Sequence, residues 1–149
     1  MIKVLIMGLP GSGKTTLATA LVEALLPDCL WLNADAIRRE YNDWDFSVDG
    51  RIRQSERMRD LANSSQKQYV ICDFIAPLQI MRDIFSADIV VWVDTEQNSI
   101  YEDTNRIFVK PEKCDIRVSS KDATYWSIKI LNIIDNLNKE IKCHYQSSI

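Results

Sequence analysis

Residues 8 to 15 read Gly8-Leu9-Pro10-Gly11-Ser12-Gly13-Lys14-Thr15, a full match to the spacing G-x-x-x-x-G-K-[ST]. The flanks fit too: the apolar run Ile2–Met7 comes before it, and a helical pattern over Lys14–Leu26 follows. No other stretch restricts the fold as much. Gly8, Gly11 and Gly13 allow backbone angles closed to other residues, so successive N–H groups, with Ser12 and Thr16 beside them, can turn inward around a phosphate. The helix starting near Lys14 aims its positive end at the same anion. Lys14 is spaced to reach the β- and γ-phosphates of a nucleotide, and the Thr15 hydroxyl to complete the coordination of Mg²⁺. ATP and Mg²⁺ are therefore the expected cofactors.

Around this loop, short apolar runs alternate with amphipathic stretches. Ile2–Met7, Cys29–Leu32, Tyr69–Cys72 and Ile89–Val93 are rich in β-branched or aromatic residues and read as buried strands, with Ile116–Val118 as a short fifth. Helical patterns cover residues 14–26, 36–41, about 50–64 and 78–85. A last helix shows one apolar stripe, Trp126, Ile130, Ile133, Ile134, Leu137 and Ile141, with Asp122 placed as its N-cap. Strands alternating with helices imply parallel crossovers. The fold class expected is α/β: a three-layer P-loop NTPase fold with a five-stranded, mostly parallel sheet flanked by helices. At 149 residues the chain suits a single domain, 1–149, and residues 95–115, which lack periodicity, read as a lid.

A phosphate loop also needs a carboxylate near the metal. Tyr69-Val70-Ile71-Cys72-Asp73 puts Asp73 at the end of an apolar strand, and Asp35 lies just past Cys29–Leu32. Ligands of open α/β sheets gather beyond the carboxyl ends of strands, so both qualify, and the residues alone leave the choice open. The plain alternatives are a solvated strand-end carboxylate for Asp73 and a helix N-cap for Asp35. Asp94 also closes a strand, but it leads into the lid segment.

Charge narrows the partners. The chain carries 18 Lys+Arg against 21 Asp+Glu, a net charge of −3, which argues against coating polymeric nucleic acid. Yet six of nine arginines, Arg38, Arg39, Arg51, Arg53, Arg57 and Arg59, fall in one short stretch, as a pocket for a small polyanion would need. Four scattered cysteines without a C-x-x-C pair, and one histidine, His144, exclude a zinc site; Cys29 and Cys72 read as small buried residues. Ile2–Met7 is too short to span a bilayer, so a cytoplasmic protein with no membrane partner is expected. A homodimer is compatible with the sequence and not specified by it.

With no N-K-x-D base-reading motif, a kinase is favoured over a switch GTPase. The segment after the second strand then becomes informative: Leu32-Asn33-Ala34-Asp35-Ala36-Ile37-Arg38, Asp45-Phe46-Ser47, and Gly50-Arg51 through Arg57. It resembles adenylylsulfate kinase, whose pattern is D-G-D-x-x-R, then G-F-S, then D-R-x-x-N-x-x-R. Phe74-Ile75-Ala76-Pro77 resembles that family's F-I-S-P, and the likeness covers about the first 85 residues. The resemblance implies that Arg38 and Arg51 hold the phosphosulfate of the acceptor nucleotide, adenosine 5′-phosphosulfate, and that Phe46 stacks on its adenine. It also implies that Asp35 lies near the acceptor hydroxyl, and it places Gln54 and Ile75 on the acceptor side. Departures are Asn33 for the first Asp of D-G-D, Gln54 for Asn, Ala76 for Ser, and Asp73 for a small residue. The family's R-D-P-K-G-L-Y lid is replaced by residues 101–111, in which Arg106 and Lys110 stand as candidates for the transferring phosphoryl group and Phe108 for the second face of an adenine sandwich. Asp-x-x-Arg also resembles polynucleotide 5′-hydroxyl kinases, and a module that binds ATP without turnover is the alternative of another class. The reading carried forward is transfer of the ATP γ-phosphoryl to a nucleotide hydroxyl, with Lys14, Asp35, Asp73 and Arg106 as catalytic candidates.

Overall fold

A computed structural model describes residues 1–147. The elements follow in the order β1 (Ile2–Met7), α1 (Lys14–Leu25), β2 (Cys29–Asn33), α2 (Ala34–Tyr41), α3 (Val48–Asn63), β3 (Tyr69–Asp73), α4 (Gln79–Phe85), β4 (Ile89–Val93), α5 (Glu102–Ile107), β5 (Ile116–Val118) and α6 (Ala123–Ser147). The strands form one five-stranded sheet in the order β2-β3-β1-β4-β5, and every pairing is parallel. Among the described residues this is the expected five-stranded parallel sheet flanked by helices.

Alternation along β1 divides the core in two, because successive strand residues face opposite sides. Ile2, Val4 and Ile6 pack with Leu17 and Leu21 of α1 and Ile130 and Ile134 of α6. Leu5 and Met7 pack on the other face with Leu32, Met58, Val70 and Phe85. The α6 stripe behaves as its periodicity requires up to Leu137; Ile141 is 49% exposed, because the helix outruns the sheet. Asp122 caps that helix, its Oδ1 accepting from the Tyr125 N–H at 3.1 Å.

Two elements differ from expectation. Helix α2 starts at Ala34, and its cap is Asn33, whose Oδ1 accepts from the Ala36 N–H at 3.0 Å. Asp35 is therefore a first-turn residue and not the cap. Residues 95–115 contain the six-residue helix α5, too short and too charged to show a period. The second part of that segment is fastened down: the Val109 N–H donates to Pro77 O at 2.8 Å, and the buried Arg82 guanidinium donates to Val109 O.

Register decides what the sheet delivers to one edge. Ile6 lies opposite Asp73 on β3, and Asp73 lies opposite Asn33 on β2. The phosphate loop, α2 and the end of β3 consequently meet at the carboxyl edge of three adjacent strands.

Candidate active site

A cleft of about 1390 Å³ opens at this edge. The loop forms its floor. Gly8 has φ +150°, and a Cβ there would lie 2.4 Å from Val93 O, so the first loop position admits only glycine if β1 and β4 keep their spacing. Ser12 is buried with a hydroxyl oxygen that has no hydrogen-bond partner, while its carbonyl accepts from Thr95 Oγ1 at 2.6 Å. An unpartnered buried hydroxyl in a glycine-rich loop at a helix start leaves an acceptor or donor in need of a partner. Gly11, Gly13, Lys14, Thr15 and Thr16 line the cleft, whereas Gly8 and Ser12 lie behind its surface.

Lys14 Nζ donates to Leu9 O at 2.9 Å. Burial pushes its ammonium down to about 8, against the pull of the Asp73 and Asp35 carboxylates. Asp73 is 3% exposed, which removes the reading as a solvated strand-end group. Its Oδ2 accepts from Trp31 Nε1 at 2.6 Å and its Oδ1 from Asn33 Nδ2 at 2.9 Å. Burial raises its carboxyl above the usual range; the Trp31 bond and the Lys14 charge oppose this. Asp35, in the first turn of α2, lines the same cleft as Lys14 and Arg38.

The arginine end is assembled around Phe46. Arg38 is buried and donates through Nη1 to Asp43 O at 2.9 Å and Asp45 O at 3.2 Å. Arg51 is buried as well; its Nε donates to Phe46 O at 2.9 Å and its Nη2 to Thr104 Oγ1 at 3.0 Å. Their guanidinium carbons lie 4.4 and 5.3 Å from the Phe46 ring centroid. Burial lowers both guanidiniums from their usual value, and each keeps donors that these bonds do not use. Gln54 Nε2 donates to Ala34 O at 3.2 Å, and its Oε1 accepts from Arg57. Phe46, Gln54 and Ile75 all line the cleft. Outside it, Arg53 and Arg57 pair with Asp43, and Arg59 with Asp60.

The three candidates named in residues 101–111 do not line the cleft; Lys110 is exposed beyond it. Arg106 is exposed and pairs with Glu102, its i,i+4 neighbour, at 3.6 Å. Phe108 packs against the core cluster under β1 and β3, with the Arg82 guanidinium 5.6 Å from its ring centre. The residues of segment 95–115 that do line the cleft lie between Glu96 and Thr104 and include Tyr101 and Asp103.

Sequence reasoning missed Trp44, which lines the mouth with its ring centre 6.5 Å from that of Phe46, and Thr104, the lid partner of Arg51. The Trp-x-Phe spacing was a usable signal for the first. For the second there was none, since the bond joins residues 53 apart. Trp31 was missed because its indole N–H reaches across to a strand far away in sequence.

The donor set fits a nucleotide with a hard cation: hydroxyl and carboxylate oxygens beside an ammonium. Among the described residues no group of three or more His, Cys, Asp or Glu side chains could hold a metal. Phosphate and water oxygens would therefore have to fill most of the coordination shell. No helix among the described residues is long and apolar enough to cross a membrane.

The sequence matches the family model described as adenylylsulphate kinase over residues 1–129. No curated protein matches it by sequence. Among solved structures, the APS kinase CysC of Mycobacterium tuberculosis, in complex with AMPPNP and APS, superposes with a TM-score of 0.74 at 19% identity, over 90% of this chain and 97% of that one. A gluconokinase from Sinorhizobium meliloti gives 0.70 at 15% identity over 95% of each chain. Shikimate kinase from Aquifex aeolicus gives 0.64 at 15% identity, over 92% of this chain and 98% of that one. At such identities these likenesses speak to the fold.

Proposed function

The chain belongs to the adenylylsulphate kinase family of ATP-dependent phosphotransferases with an alcohol group as acceptor, and from that premise we propose that it transfers the γ-phosphoryl of ATP to the 3′-hydroxyl of adenosine 5′-phosphosulfate. One observation carries the reading: a single cleft is lined both by the phosphate loop and by Arg38, Arg51 and Phe46, with Asp35 in its lining as well.

The residues divide the task in this reading. The loop amides receive the phosphates, with Ser12 beneath them, and Lys14 leaves Leu9 O to meet the charge that develops on the transferring group. Thr15 and Asp73 would hold Mg²⁺, which when bound neutralises phosphate charge. Asp35 orients the acceptor hydroxyl and takes its proton. The unused donors of Arg38 and Arg51 clamp the acceptor anion in a fork geometry that lysine does not reproduce. The exposed Phe46 face suits an adenine ring. Arg106 and Phe108 can join only if the segment 102–108 moves, because neither lines the cleft and Phe108 packs on the core cluster.

The test is turnover of ATP against adenosine 5′-phosphosulfate and, in parallel, a 5′-hydroxyl oligonucleotide. Turnover with the nucleotide is expected. Turnover with the oligonucleotide alone would replace this reading by a polynucleotide kinase, and ATP binding without either turnover by a non-catalytic module.

A further inference from the structure

We infer that Trp31 and Asn33 are positioning residues for the Asp73 carboxylate, and that they set how strongly Mg²⁺ tightens the binding of ATP. The inference rests on the reading of Asp73 as the metal-side carboxylate. In the parallel pairing of β2 and β3, Asn33 lies opposite Asp73 and Trp31 opposite Ile71. Side chains two residues apart share a face, so Trp31 and Asn33 project on the same side as Asp73. Their donors meet different oxygens: Trp31 Nε1 bonds Oδ2 at 2.6 Å and Asn33 Nδ2 bonds Oδ1 at 2.9 Å.

Four features separate this arrangement from ordinary packing. Among the described residues only neutral groups donate hydrogen bonds to Asp73, so its rotamer is fixed without an ion-pair hydrogen bond, and the Lys14 charge acts on it without a bond. Each oxygen keeps further lone-pair capacity, because an ionised carboxylate offers about four acceptor sites. Asn33 is itself fixed from its other end, since its Oδ1 caps α2 through the Ala36 N–H; the amide can therefore present only its NH₂ to Asp73. Trp31 sits on an edge strand and is 36% exposed, so burial gives little reason for a residue this large. Its indole N–H gives one. Outer partners of this kind typically change metal affinity about 10–100-fold when removed.

The test compares the affinity of the intact protein for a non-hydrolysable ATP analogue with and without saturating Mg²⁺. Trp31→Phe keeps the ring and withdraws the donor. Asn33→Ser keeps a helix cap and withdraws the amide. Each is expected to reduce the Mg²⁺-dependent gain in affinity about tenfold or more, with metal-free affinity unchanged. An unreduced gain in both variants would overturn the proposal. Asp73→Asn separates the two levels. An intact Mg²⁺ gain there overturns the underlying reading of Asp73. Loss there, with the full gain kept in Trp31→Phe and Asn33→Ser, overturns positioning alone. In the unaltered protein, the Trp31 Nε1–H nuclear magnetic resonance signal should move when Mg²⁺ is added to the nucleotide complex. A stationary signal would also count against the proposal, so the test survives if a variant fails to fold.

Discussion

The two ends of the cleft are built by different means. At the phosphate end a run of consecutive residues supplies nearly everything: backbone N–H groups, one ammonium and the hydroxyls of Ser12 and Thr15, with Gly8 held against Val93 O. At the arginine end the parts come from distant places. Arg38 and Arg51 are fastened to the carbonyls of Asp43, Asp45 and Phe46, and Arg51 crosses to Thr104 of the lid helix. A local site of backbone groups tolerates divergence around it. A site of long side chains holding one another can be retuned by a change in any partner, and Gln54 departs from the family's pattern there, while Asn33 and Asp73 depart together at the phosphate end.

If this contrast is right, changes between the two ends should hurt most. Asp35→Asn is expected to lower kcat by about 10²–10⁴-fold with ATP affinity retained, measured by steady-state kinetics and equilibrium binding. Loss of ATP affinity instead would place Asp35 on the phosphate side. Lys14→Met should lower kcat by about 10²–10³-fold, the scale of removing one preorganised charge donor. A variant with near-normal turnover would mean that the loop amides alone suffice.

A smaller change sharpens the arginine end. A Cβ at Gly50 would meet Asp45 O at 2.3 Å, so Gly50→Ala must displace the loop carrying Phe46. The expected cost is about 1–3 kcal/mol in denaturant unfolding, with acceptor binding weakened more than ATP binding. Equal weakening would show that the loop does not belong to the acceptor side.

The smallest effect concerns acid. Hydrogen bonds from Arg53 and Arg57 hold the Asp43 carboxyl well below its ordinary value of 3.8. A depressed carboxyl contributes stability above that ordinary value and loses it as pH falls towards the folded one. Thermal midpoints should therefore fall below about pH 4, and Asp43→Asn should flatten that fall. An unchanged slope would mean the cluster does not brace the loop.

What was legible in the sequence follows the same division. The strands and the phosphate loop could be read because their signals are consecutive: an apolar run, a glycine spacing, a helix start. Asp73 and Asp35 could be placed at the sheet edge because strand ends are local. Trp31 could not, because the value of its indole depends on register with β3. Thr104 and the pinning of Val109 depend on contacts 53 and 27 residues apart, and helix α5 is six residues of mixed charge. Reading Arg106 and Phe108 as cleft residues came from sequence order, whereas Arg82 and the core cluster hold Phe108 under the sheet.

The most direct test of the two-ended cleft is a calorimetric titration of adenosine 5′-phosphosulfate into the protein loaded with a non-hydrolysable ATP analogue, repeated with Arg51→Ala. Saturable one-to-one binding is expected, weakened at least about tenfold in the variant while its affinity for the analogue stays the same, as the loss of a charged hydrogen-bonding clamp requires. Equal loss of both ligands, or acceptor binding indifferent to Arg51, would contradict the division of the cleft into a phosphate end and an acceptor end.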